Sequence, residues 1–519
     1  MSQSKIDFLI TTALNQLGVM DLSPFKVEVP PRKELGDYAT NAAILHAKKL
    51  GQNPLVLAEK MSGLIKQSDQ AGLIREITIA KPGFINIFLN DRYIQQTVLT
   101  IEKQAEKWGW SQLPVKQRIL LEFVSANPTG PLHVGHGRWA VVGDIIANIL
   151  SAAGYDVTKE FYVNNIGNQV EKLWQSILAV RDNRPVPESG YGGSYIKEIQ
   201  GNTLEETLDF LLTEQKATLR QLGANFDSYF FENVLHEAGK VKAAVARLTE
   251  LGKTFEESGA IWFKAMEMGD DKNRVLIRED GLPTYFAADI AYHVDKFNRG
   301  FDRLINIWGT DHHGYVNRLK SALKAFDLPT EKFEIIIGQL VTLYRGDEAI
   351  RMSKRTGEMI TLKEVLDEIG PDAVRFFFAM TDVNSHLDFD LELAKKQSND
   401  NPVYYVQYAH ARICSILKKA GTAALEAKQL TELVGLTQPA ERELMLKLLS
   451  FPELVTSAAR LRQPQRLTEY ARELATTFHY FYEKCRVLGH PARLYLVEAT
   501  RITLHNVLKL LGVSTPETM

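Results

Sequence analysis

The stretch Arg118–Asn165, RILLEFVSANPTGPLHVGHGRWAVVGDIIANILSAAGYDVTKEFYVNN, decides the fold of this chain. It begins with a buried, apolar strand pattern and a loop rich in proline and glycine. A helix pattern that ends at Gly154 and a second strand pattern follow. Strand, helix and strand in this order are typical of a βαβ unit with parallel strands. We therefore predict a parallel sheet with helices on its faces.

The two ends of the chain have different patterns. Residues 1–110 predict an α+β domain, because two strand-like runs flank Lys81-Pro82-Gly83 and helix patterns surround them. In residues 386–519 the strand patterns stop, and apolar residues recur at helical spacing, for example from Leu467 to Tyr482. We expect an N-terminal α+β domain and a C-terminal all-α helical bundle.

The middle of the chain, residues 111–385, extends the parallel sheet. Strand patterns return at Arg274–Arg278, Leu304–Trp308 and Phe333–Leu340, with helix patterns between them. The interval of about 168–270 is mostly helical in pattern, and we predict that it is an insertion. The two halves together predict one split, doubly wound, Rossmann-like parallel sheet.

The composition limits what the protein can be. With 519 residues, 45% hydrophobic and 24% charged, the chain is typical of a multidomain globular protein. Its 61 Lys and Arg nearly balance 63 Asp and Glu, so any binding of nucleic acid must use local basic patches. The two cysteines, Cys414 and Cys485, exclude a disulfide framework and a cysteine-based zinc site.

The same features predict the compartment. Two distant cysteines fit a reducing cytoplasm. The N-terminal helix pattern is broken by Asn15 and Gln16, unlike a signal peptide, and the most apolar longer window, Trp139–Ala153, is too short to cross a bilayer. We expect a cytoplasmic protein with no membrane partner.

The first candidate ligand site is the segment Pro131-Leu132-His133-Val134-Gly135-His136, where the first strand turns into its helix. Ligands bind at this edge of parallel sheets, and a helix start favours anions. Two imidazoles one turn apart could donate hydrogen bonds to phosphate oxygens, and Gly135 and Gly137 would let a purine approach the backbone. A surface turn with two histidines stays open as the alternative. A metal site is disfavoured because the pair lacks an obvious third ligand.

A second segment, Arg351-Met352-Ser353-Lys354-Arg355, precedes a helix start at Thr361, where Glu364 would complete a capping box. Its cations and Ser353 suit a clamp for a triphosphate, although a basic loop alone is more often solvated surface. Placed with the histidine turn on one split sheet, this segment predicts a nucleotide site.

The two motifs resemble the HIGH and KMSKS signatures of class I aminoacyl-tRNA synthetases. The resemblance narrows to the arginyl-tRNA synthetase family over EFVSANPTGPLHVGHGR, FYVNNIGNQVEKL, DGLPTYFAADIAYHVDKF, WGTDHHGYV, GPDAVRFFF, HYFYEKCRVLG and LGVSTPETM. These segments follow the family's order and cover essentially the whole chain.

The resemblance implies a catalytic central domain that joins arginine to its tRNA at the expense of ATP. The arginine carboxylate would attack the α-phosphorus of ATP, which carries Mg, to give arginyl-adenylate and pyrophosphate. The 3′-terminal adenosine of the tRNA would then take the arginyl group. His133, His136 and Lys354 would be catalytic, and no structural metal is implied. The implied ATP-binding residues are Pro131, His133, Gly135, His136, Ser353 and Lys354.

Recognition of arginine requires acids, because a planar cation with five N–H donors must be desolvated. Tyr285 and Asp289 lie one helical turn apart and, by the resemblance, would hold the guanidinium group. Glu122, Ser125 and Asn127 would hold the other end of the amino acid.

Binding of tRNA would be distributed over the two terminal domains. The resemblance implies that the C-terminal bundle binds the anticodon, and Tyr404, Tyr408 and Arg412 combine aromatic rings with a cation there. Ordinary helix core is the alternative for the tyrosines. The N-terminal domain is similar to one that touches the tRNA elbow, and the family is usually monomeric.

The sequence also departs from the family pattern. Arg351 and Arg355 stand where the signature has Lys and Ser, and Asn165-Ile166 replaces the usual Asp-Ala. Two other functions stay open. A ligase with a small-molecule acceptor would need no large helical bundle, and a non-catalytic RNA-binding relative would be expected to lack the histidines or Lys354.

Overall fold

The structure, a computed structural model, describes residues 2–111, 113, 115–350, 360–421 and 433–519. The elements of its N-terminal region are, in chain order, α1 (Ser2–Gln16), β1 (Val27–Glu28), β2 (Tyr38–Thr40), α2 (Ala42–Ala47), α3 (Pro54–Ser68), β3 (Ile74–Ala80), β4 (Phe84–Leu89) and α4 (Asp91–Gln104).

The N-terminal strands form an antiparallel sheet in the order β1-β2-β4-β3. Strands β3 and β4 pair across the predicted turn at Lys81–Gly83. The Asn90 side chain caps α4 by accepting the N–H of Arg92. The helix ends at Gln104, because Ala105 has a positive φ of 47°.

The elements of the central region follow the same chain order. They are β5 (Arg118–Glu122), α5 (Val134–Ala152), β6 (Asp156–Val163), α6 (Asn168–Arg181), α7 (Leu204–Gln221), β7 (Ser228–Phe231), α8 (Glu232–Glu237), α9 (Lys240–Glu250), β8 (Thr254–Glu257), β9 (Ala260–Phe263), β10 (Arg274–Ile277), α10 (Tyr285–Asn298), β11 (Arg303–Gly309), α11 (Tyr315–Ala325), β12 (Phe333–Gly338), β13 (Val341–Arg345), β14 (Glu348–Ile350), α12 (Leu362–Ala379) and β15 (Leu387–Asp390).

The central sheet confirms the predicted doubly wound fold. Its strands lie in the order β12-β11-β5-β6-β7, and every neighbouring pair is parallel. Side chains alternate between its two faces. Leu121 and Ile305 join the core beneath α5, whereas Leu120 and Leu304 join the core beneath α10 and α11.

The positions of two strands differ from those that the sequence predicted for this region. The interval 168–270, predicted as an inserted and mainly helical region, also contains β7, which pairs with β6 and forms an edge of the central sheet. Conversely, β10 was predicted in that sheet, but it pairs antiparallel with β9 in a separate sheet, β10-β9-β8. Short strands carry too little pattern to reveal their partners.

A third small sheet, with strand order β14-β13-β15, is formed by residues that follow the central sheet in the chain, and it was not predicted. The segment 351–359 that follows β14, including Ser353 and Lys354, lies outside the described residues. Helix α12 begins where predicted, because Thr361 and Glu364 form the expected capping box.

The C-terminal elements are α13 (Leu391–Lys395), α14 (Pro402–Ala420), α15 (Pro439–Leu449), α16 (Phe451–Leu461), α17 (Gln465–Lys484) and α18 (Pro491–Leu511). In the part of the chain that the structure describes, no helix combines the length and apolar character needed to cross a membrane.

Two arginines, half-buried Arg442 and buried Arg375, join the terminal regions to the rest of the protein. Arg442 of α15 donates to both Asp37 carboxylate oxygens, at 2.7 and 2.8 Å, and to Asp91, which ties the N-terminal domain to the bundle. Arg375 of α12 donates to Asp144 of α5 at 2.6 Å and to the Leu511 carbonyl at 2.8 Å. The helix that carries the histidine turn is therefore fixed to the end of α18.

Candidate active site

A cavity of about 2300 Å³ opens where β5, β6 and β11 end. Parallel sheets bind ligands at this edge, as the sequence predicted. The predicted site residues that line it are Glu122, Ser125, Asn127, Pro131, His133, His136, Tyr285 and Asp289. The structure therefore brings both the histidine turn and the predicted arginine contacts to one cavity.

The two histidines form a reciprocal cap on α5. The His133 Nδ1 atom accepts the N–H of His136, and the His136 Nδ1 atom accepts the N–H of His133, each at 3.3 Å. Their rings stack with centroids 3.6 Å apart. Because both Nδ1 atoms accept hydrogen bonds, the proton of each neutral ring is assigned to Nε2. The spacing of the motif thus yields two imidazole donors at a helix start.

The glycines of this turn pack closely against other side chains. Gly135 is buried, and a Cβ there would lie 2.9 Å from the His133 ring; the approach of a purine to its backbone stays a prediction. A Cβ on Gly137 would lie 2.5 Å from Leu362 of α12. The structure thus explains both glycines by packing, one against the histidine pair and the other against α12.

The chain after β5 is bent sharply into the cavity. Val124 and Ser125 have positive φ angles of 69° and 42°, which are rare for non-glycine residues and costly for a β-branched one. The bend lets the Ser125 hydroxyl donate to Glu122 Oε1 at 2.8 Å and accept the N–H of Tyr162 at 3.1 Å. Two residues later, the Asn127 amide donates to Gln169 at 2.5 Å.

Glu122 is already neutralised by a buried cation. Lys296 of α10 is fully buried and forms an ion pair with Glu122 Oε2, and Asn306 of β11 donates to the same oxygen at 3.0 Å. Asn306 also accepts from Lys296 at 3.0 Å. The predicted contact between Glu122 and the amino acid must therefore be shared with Lys296, and the pair adds little net negative charge.

A buried neutral histidine completes this network. His293 Nδ1 donates to the Asp289 carbonyl at 2.8 Å, and its Nε2 accepts from the Asn306 amide at 3.1 Å. Burial lowers the pKa of His293 well below its ordinary value, so the ring stays neutral and keeps this tautomer. The network fixes the backbone of α10 beneath Asp289.

Asp289 lies at the end of the cavity where the arginine guanidinium group was predicted to bind. It is buried, and its Oδ2 atom accepts from the Tyr315 hydroxyl at 2.5 Å. Burial raises the pKa of Asp289 to about 8, and nearby Glu232 also raises it. Tyr285, one turn earlier on α10, is 52% exposed and lines the same cavity. The pair thus lies on one face, as predicted.

Sequence reasoning missed a second acid, Glu232, the first residue of α8. It is buried in the cavity wall, and burial raises the pKa of its carboxyl to about 7. The Tyr162 hydroxyl interacts with the Glu232 carboxyl and partly offsets that rise in pKa, and Glu232 Oε1 lies 3.6 Å from His236 Nε2. Only the pairing of β7 with β6 brings Glu232 here, and the four-residue strand that precedes it gave no such signal.

The departure at Asn165-Ile166 has a local explanation. The Asn165 amide donates to Asn233 Oδ1 at 2.9 Å, and Asn165 Oδ1 accepts the Asn233 N–H at 3.2 Å. Asn165 therefore holds the start of α8, next to Glu232, while Ile166 lines the cavity.

The predicted tRNA contacts meet on the bundle. The rings of Tyr404 and Tyr408 on α14 stack at 6.4 Å, and Tyr408 is 38% exposed. The Arg412 guanidinium group lies 4.6 Å from the Tyr482 ring centroid, and His479 contacts Tyr408. Helices α14 and α17 thus form a mixed aromatic and cationic patch.

Comparison with known proteins identifies the class and then the family. Residues 4–89 match the family described as arginyl tRNA synthetase N terminal domain, residues 96–188 match tRNA synthetases class I (R), catalytic domain, and residues 406–519 match DALR anticodon binding domain. The parallel sheet, the histidine turn and these matches define a class I aminoacyl-tRNA synthetase.

Relatives that match over nearly the full length of the chain identify the family within this class. A protein named arginine–tRNA ligase from Heliobacterium modesticaldum is 44% identical over 97% of this chain and 95% of its own length. One from Staphylococcus aureus is 42% identical over 98% of both chains. The chain belongs to the arginyl-tRNA synthetase family, which confirms the resemblance seen in the sequence.

Solved structures agree with the fold. The Thermus thermophilus arginyl-tRNA synthetase superposes with a TM-score of 0.79 over 100% of both chains at 25% identity. The Plasmodium falciparum arginyl-tRNA synthetase, at 18% identity, shares the fold with a TM-score of 0.78.

Proposed function

We propose that this protein is an arginine–tRNA ligase that forms arginyl-adenylate from arginine and ATP and transfers the arginyl group to tRNA. The observation that carries the proposal is a cavity with two chemically different ends. At one end, the His133–His136 turn presents imidazole donors at a helix start. At the other, Asp289 and Glu232 are buried, and neither pairs with a described Lys or Arg within 4 Å. The first end suits phosphates and the second a cation.

In the first step, an arginine carboxylate oxygen bonds to the α-phosphorus of ATP, and the bond to the pyrophosphate oxygen breaks. His133 and His136 donate to phosphate oxygens as charge shifts to the leaving group, with Pro131 beside them. Lys354 and Ser353, which lie outside the described residues, neutralise the pyrophosphate in this proposal.

Mg²⁺ enters with ATP as the counter-ion of its phosphates. Within the described ranges, no group of three or more His, Cys, Asp or Glu side chains could hold a metal ion.

Asp289 and Tyr285 hold the guanidinium group, and Glu232 is added to them as a second carboxylate. A guanidinium group has five N–H donors in one plane, so the carboxylates of Asp289 and Glu232 and the hydroxyl of Tyr285 can accept hydrogen bonds from it. Ser125 and Asn127 hold the carboxylate end, and Glu122, paired with Lys296, keeps Ser125 in place.

In the second step, a hydroxyl of the terminal adenosine attacks the arginyl carbonyl and AMP leaves. The patch of Tyr404, Tyr408 and Arg412 binds bases of the anticodon loop, and the N-terminal domain contacts the tRNA elbow. We propose that the enzyme acts as a monomer, as members of this family usually do. The free thiols of Cys414 and Cys485 support a cytoplasmic location.

Charging of total tRNA with ATP and Mg²⁺ tests the proposal, with each of the twenty amino acids supplied separately. Arginine alone should become attached to tRNA. If arginine is activated but never transferred, the acceptor is a small molecule. If no amino acid is activated even with tRNA present, the chain is a non-catalytic RNA-binding protein. The molar mass of the purified protein, measured by light scattering, tests whether it is a monomer.

The affinity for arginine should rise with pH. A carboxyl with a raised pKa is neutral below that pKa, and the pKa values of Glu232 and Asp289 are about 7 and about 8. Because a cation binds the ionised carboxylates, the arginine KM should fall steeply from pH 6 to pH 8 and then level off. Steady-state charging at saturating ATP and tRNA measures the profile. A KM that is flat over this interval would contradict the assignment of both acids.

Replacing Tyr315 by Phe should move that profile to higher pH. The Tyr315 hydroxyl donates to Asp289 and lowers the pKa of its carboxyl, so its loss leaves Asp289 neutral over a wider range. Hydrogen bonds to charged groups contribute about 1.5 to 3 kcal/mol, so the arginine KM at pH 7 should rise by about tenfold or more. Tyr480→Phe, an exposed tyrosine on α17, is the matched control. Identical pH profiles for the two variants would refute the role of Tyr315.

A further inference from the structure

Trp139 of α5 is half-buried, and its side chain contacts both members of the histidine pair. It lies three residues after His136, so the two side chains share a face of the helix. The centroid of the Trp139 ring is 5.7 Å from that of His136, at an interplanar angle of 70°, and 6.4 Å from that of His133, at 74°. The same ring also lines the cavity.

The hydrogen bonds within the histidine pair are long, which makes this third ring important. Each N–H to Nδ1 distance is 3.3 Å, whereas an N–H donor usually lies about 2.7 to 3.2 Å from its acceptor. Long bonds restrict the rotation of an imidazole ring only weakly. Trp139 stands steeply inclined to the stacked pair, so turning either imidazole changes a favourable ring contact. The contact therefore helps to set the direction in which the two Nε2–H groups point.

The indole of Trp139 occupies a space left free by Gly338, the last residue of β12. A Cβ on Gly338 would lie 2.5 Å from Trp139 Nε1 and 2.7 Å from Cδ1, closer than real Cβ contacts. A side chain at position 338 would therefore displace the indole from its place beside the histidines.

The neighbouring residue, Arg138, fixes this space relative to α5. Its buried guanidinium group donates to the carbonyls of Gln339 at 3.0 Å and Leu340 at 3.3 Å, directly after β12. It also donates to the Asp382 carbonyl at 2.9 Å. Two consecutive residues of α5 thus contact the end of β12, one through hydrogen bonds and the other through packing. The packing of α5 against β12 therefore places Trp139 beside the histidines.

The contact depends on the ring of Trp139 rather than on its N–H group. Trp139 Nε1 is buried and has no hydrogen-bond partner among the residues that the structure describes. A buried donor without a partner destabilises a fold. A phenyl ring at this position could contact the same imidazoles without that cost.

We propose that Trp139 is a positioning residue for adenylate formation, which holds the imidazoles of His133 and His136 with their Nε2–H groups directed toward the phosphates of ATP. The proposal rests on the proposed function, because Trp139 acts only through the two histidines. Disturbing the indole should therefore slow the chemical step and leave the binding of arginine unchanged.

Single-turnover formation of arginyl-adenylate, at saturating ATP and arginine and with tRNA present, tests the proposal. Trp139→Leu should slow this step about tenfold, which corresponds to about 1.4 kcal/mol, the size of a favourable aromatic contact. Trp139→Phe should keep most of the wild-type rate, because it keeps a ring. Trp110→Leu, at an exposed tryptophan that does not line the cavity, is the matched control.

Gly338→Ala is a second variant, which disturbs the indole and leaves every cavity residue unchanged. It should slow adenylate formation as Trp139→Leu does, while the arginine KM stays at the wild-type value. Gly63→Ala is its control, because a Cβ there would meet no atom within 4 Å. Rates are expressed per arginine-binding site, so a smaller folded fraction does not count as a slower step.

The His136→Ala variant separates positioning of the histidines from a general structural role. Trp139→Leu should cost less in that background than in the wild-type chain, because the nearer of its two ring partners is already absent. An equal loss in both backgrounds would overturn the proposal. A raised ATP KM with a wild-type rate at saturating ATP would also overturn it, since Trp139 would then contact the nucleotide itself.

Charging of tRNA with arginine by the wild-type chain, measured first, separates the two levels of inference. If the wild-type chain charges tRNA, but Trp139→Leu and Gly338→Ala form adenylate at the wild-type rate, only the role of Trp139 fails. If the wild-type chain never forms arginyl-adenylate, the proposed function fails, and the assignment of Trp139 fails with it.

Discussion

Replacing His136 by Ala should slow arginyl-adenylate formation by about 100- to 1000-fold, the usual loss when one preorganised donor to a developing negative charge is removed. The variant loses the Nε2–H donor directly. It also removes the acceptor for the His133 N–H and the ring that stacks on His133, so the second donor is less well held. Single-turnover formation of adenylate, with tRNA present, measures the effect.

The His136→Ala variant should keep the wild-type fold. Losing one side of the helix cap costs about 0.5 to 2 kcal/mol, which a chain of this size can tolerate. Thermal unfolding and tRNA affinity should therefore change little. His313→Ala is the matched control, since His313 is exposed and does not line the cavity. Wild-type adenylate formation by His136→Ala would exclude a role for the histidine turn in catalysis.

Replacing Asp289 by Asn should raise the arginine KM by about 100-fold or more. Asn keeps the shape and can still accept from Tyr315, so the change isolates the loss of charge. Truncating one partner of a buried, hydrogen-bonded charge pair costs about 2 to 5 kcal/mol, and about 1.4 kcal/mol corresponds to tenfold in affinity. Charging assays over a range of arginine concentrations measure it.

The neutral isostere citrulline sharpens this test. The wild-type chain should discriminate strongly between arginine and citrulline, and Asp289→Asn should lose much of that ratio. Glu232→Gln should lose less, because Glu232 has only its carboxylate in the site, whereas Asp289 also orients Tyr315. An unchanged ratio in Asp289→Asn would place the guanidinium group elsewhere.

Much of the site could be predicted because its signals are local. The two histidines are three residues apart because the N-cap and third position of a helix can cap each other, and Tyr285 and Asp289 share a face of α10 by helical spacing. The βαβ unit and the capping box at Thr361 are local in the same sense.

The missed features depend on contacts between distant parts of the chain. Glu232 enters the cavity only because β7 joins the sheet, and Glu122 is neutralised by Lys296, 174 positions later. Neither partner can be deduced from the pattern around the other residue. The separate sheet of β10 was missed for the same reason, since a four-residue strand fits several partners equally well.

The order of strands in the central sheet has a consequence for synthesis on the ribosome. Strand β5 lies in the middle, with β6 on one side and β11 on the other. Strand β6 emerges soon after β5, but β11 begins only at Arg303. Because translation adds about 5 to 20 residues per second, one edge of β5 stays unpaired for roughly 10 to 40 s before β11 is synthesised. A nascent chain in that interval exposes an unpaired apolar strand, so this is the stage at which chaperones would be most needed and premature contacts between chains most damaging.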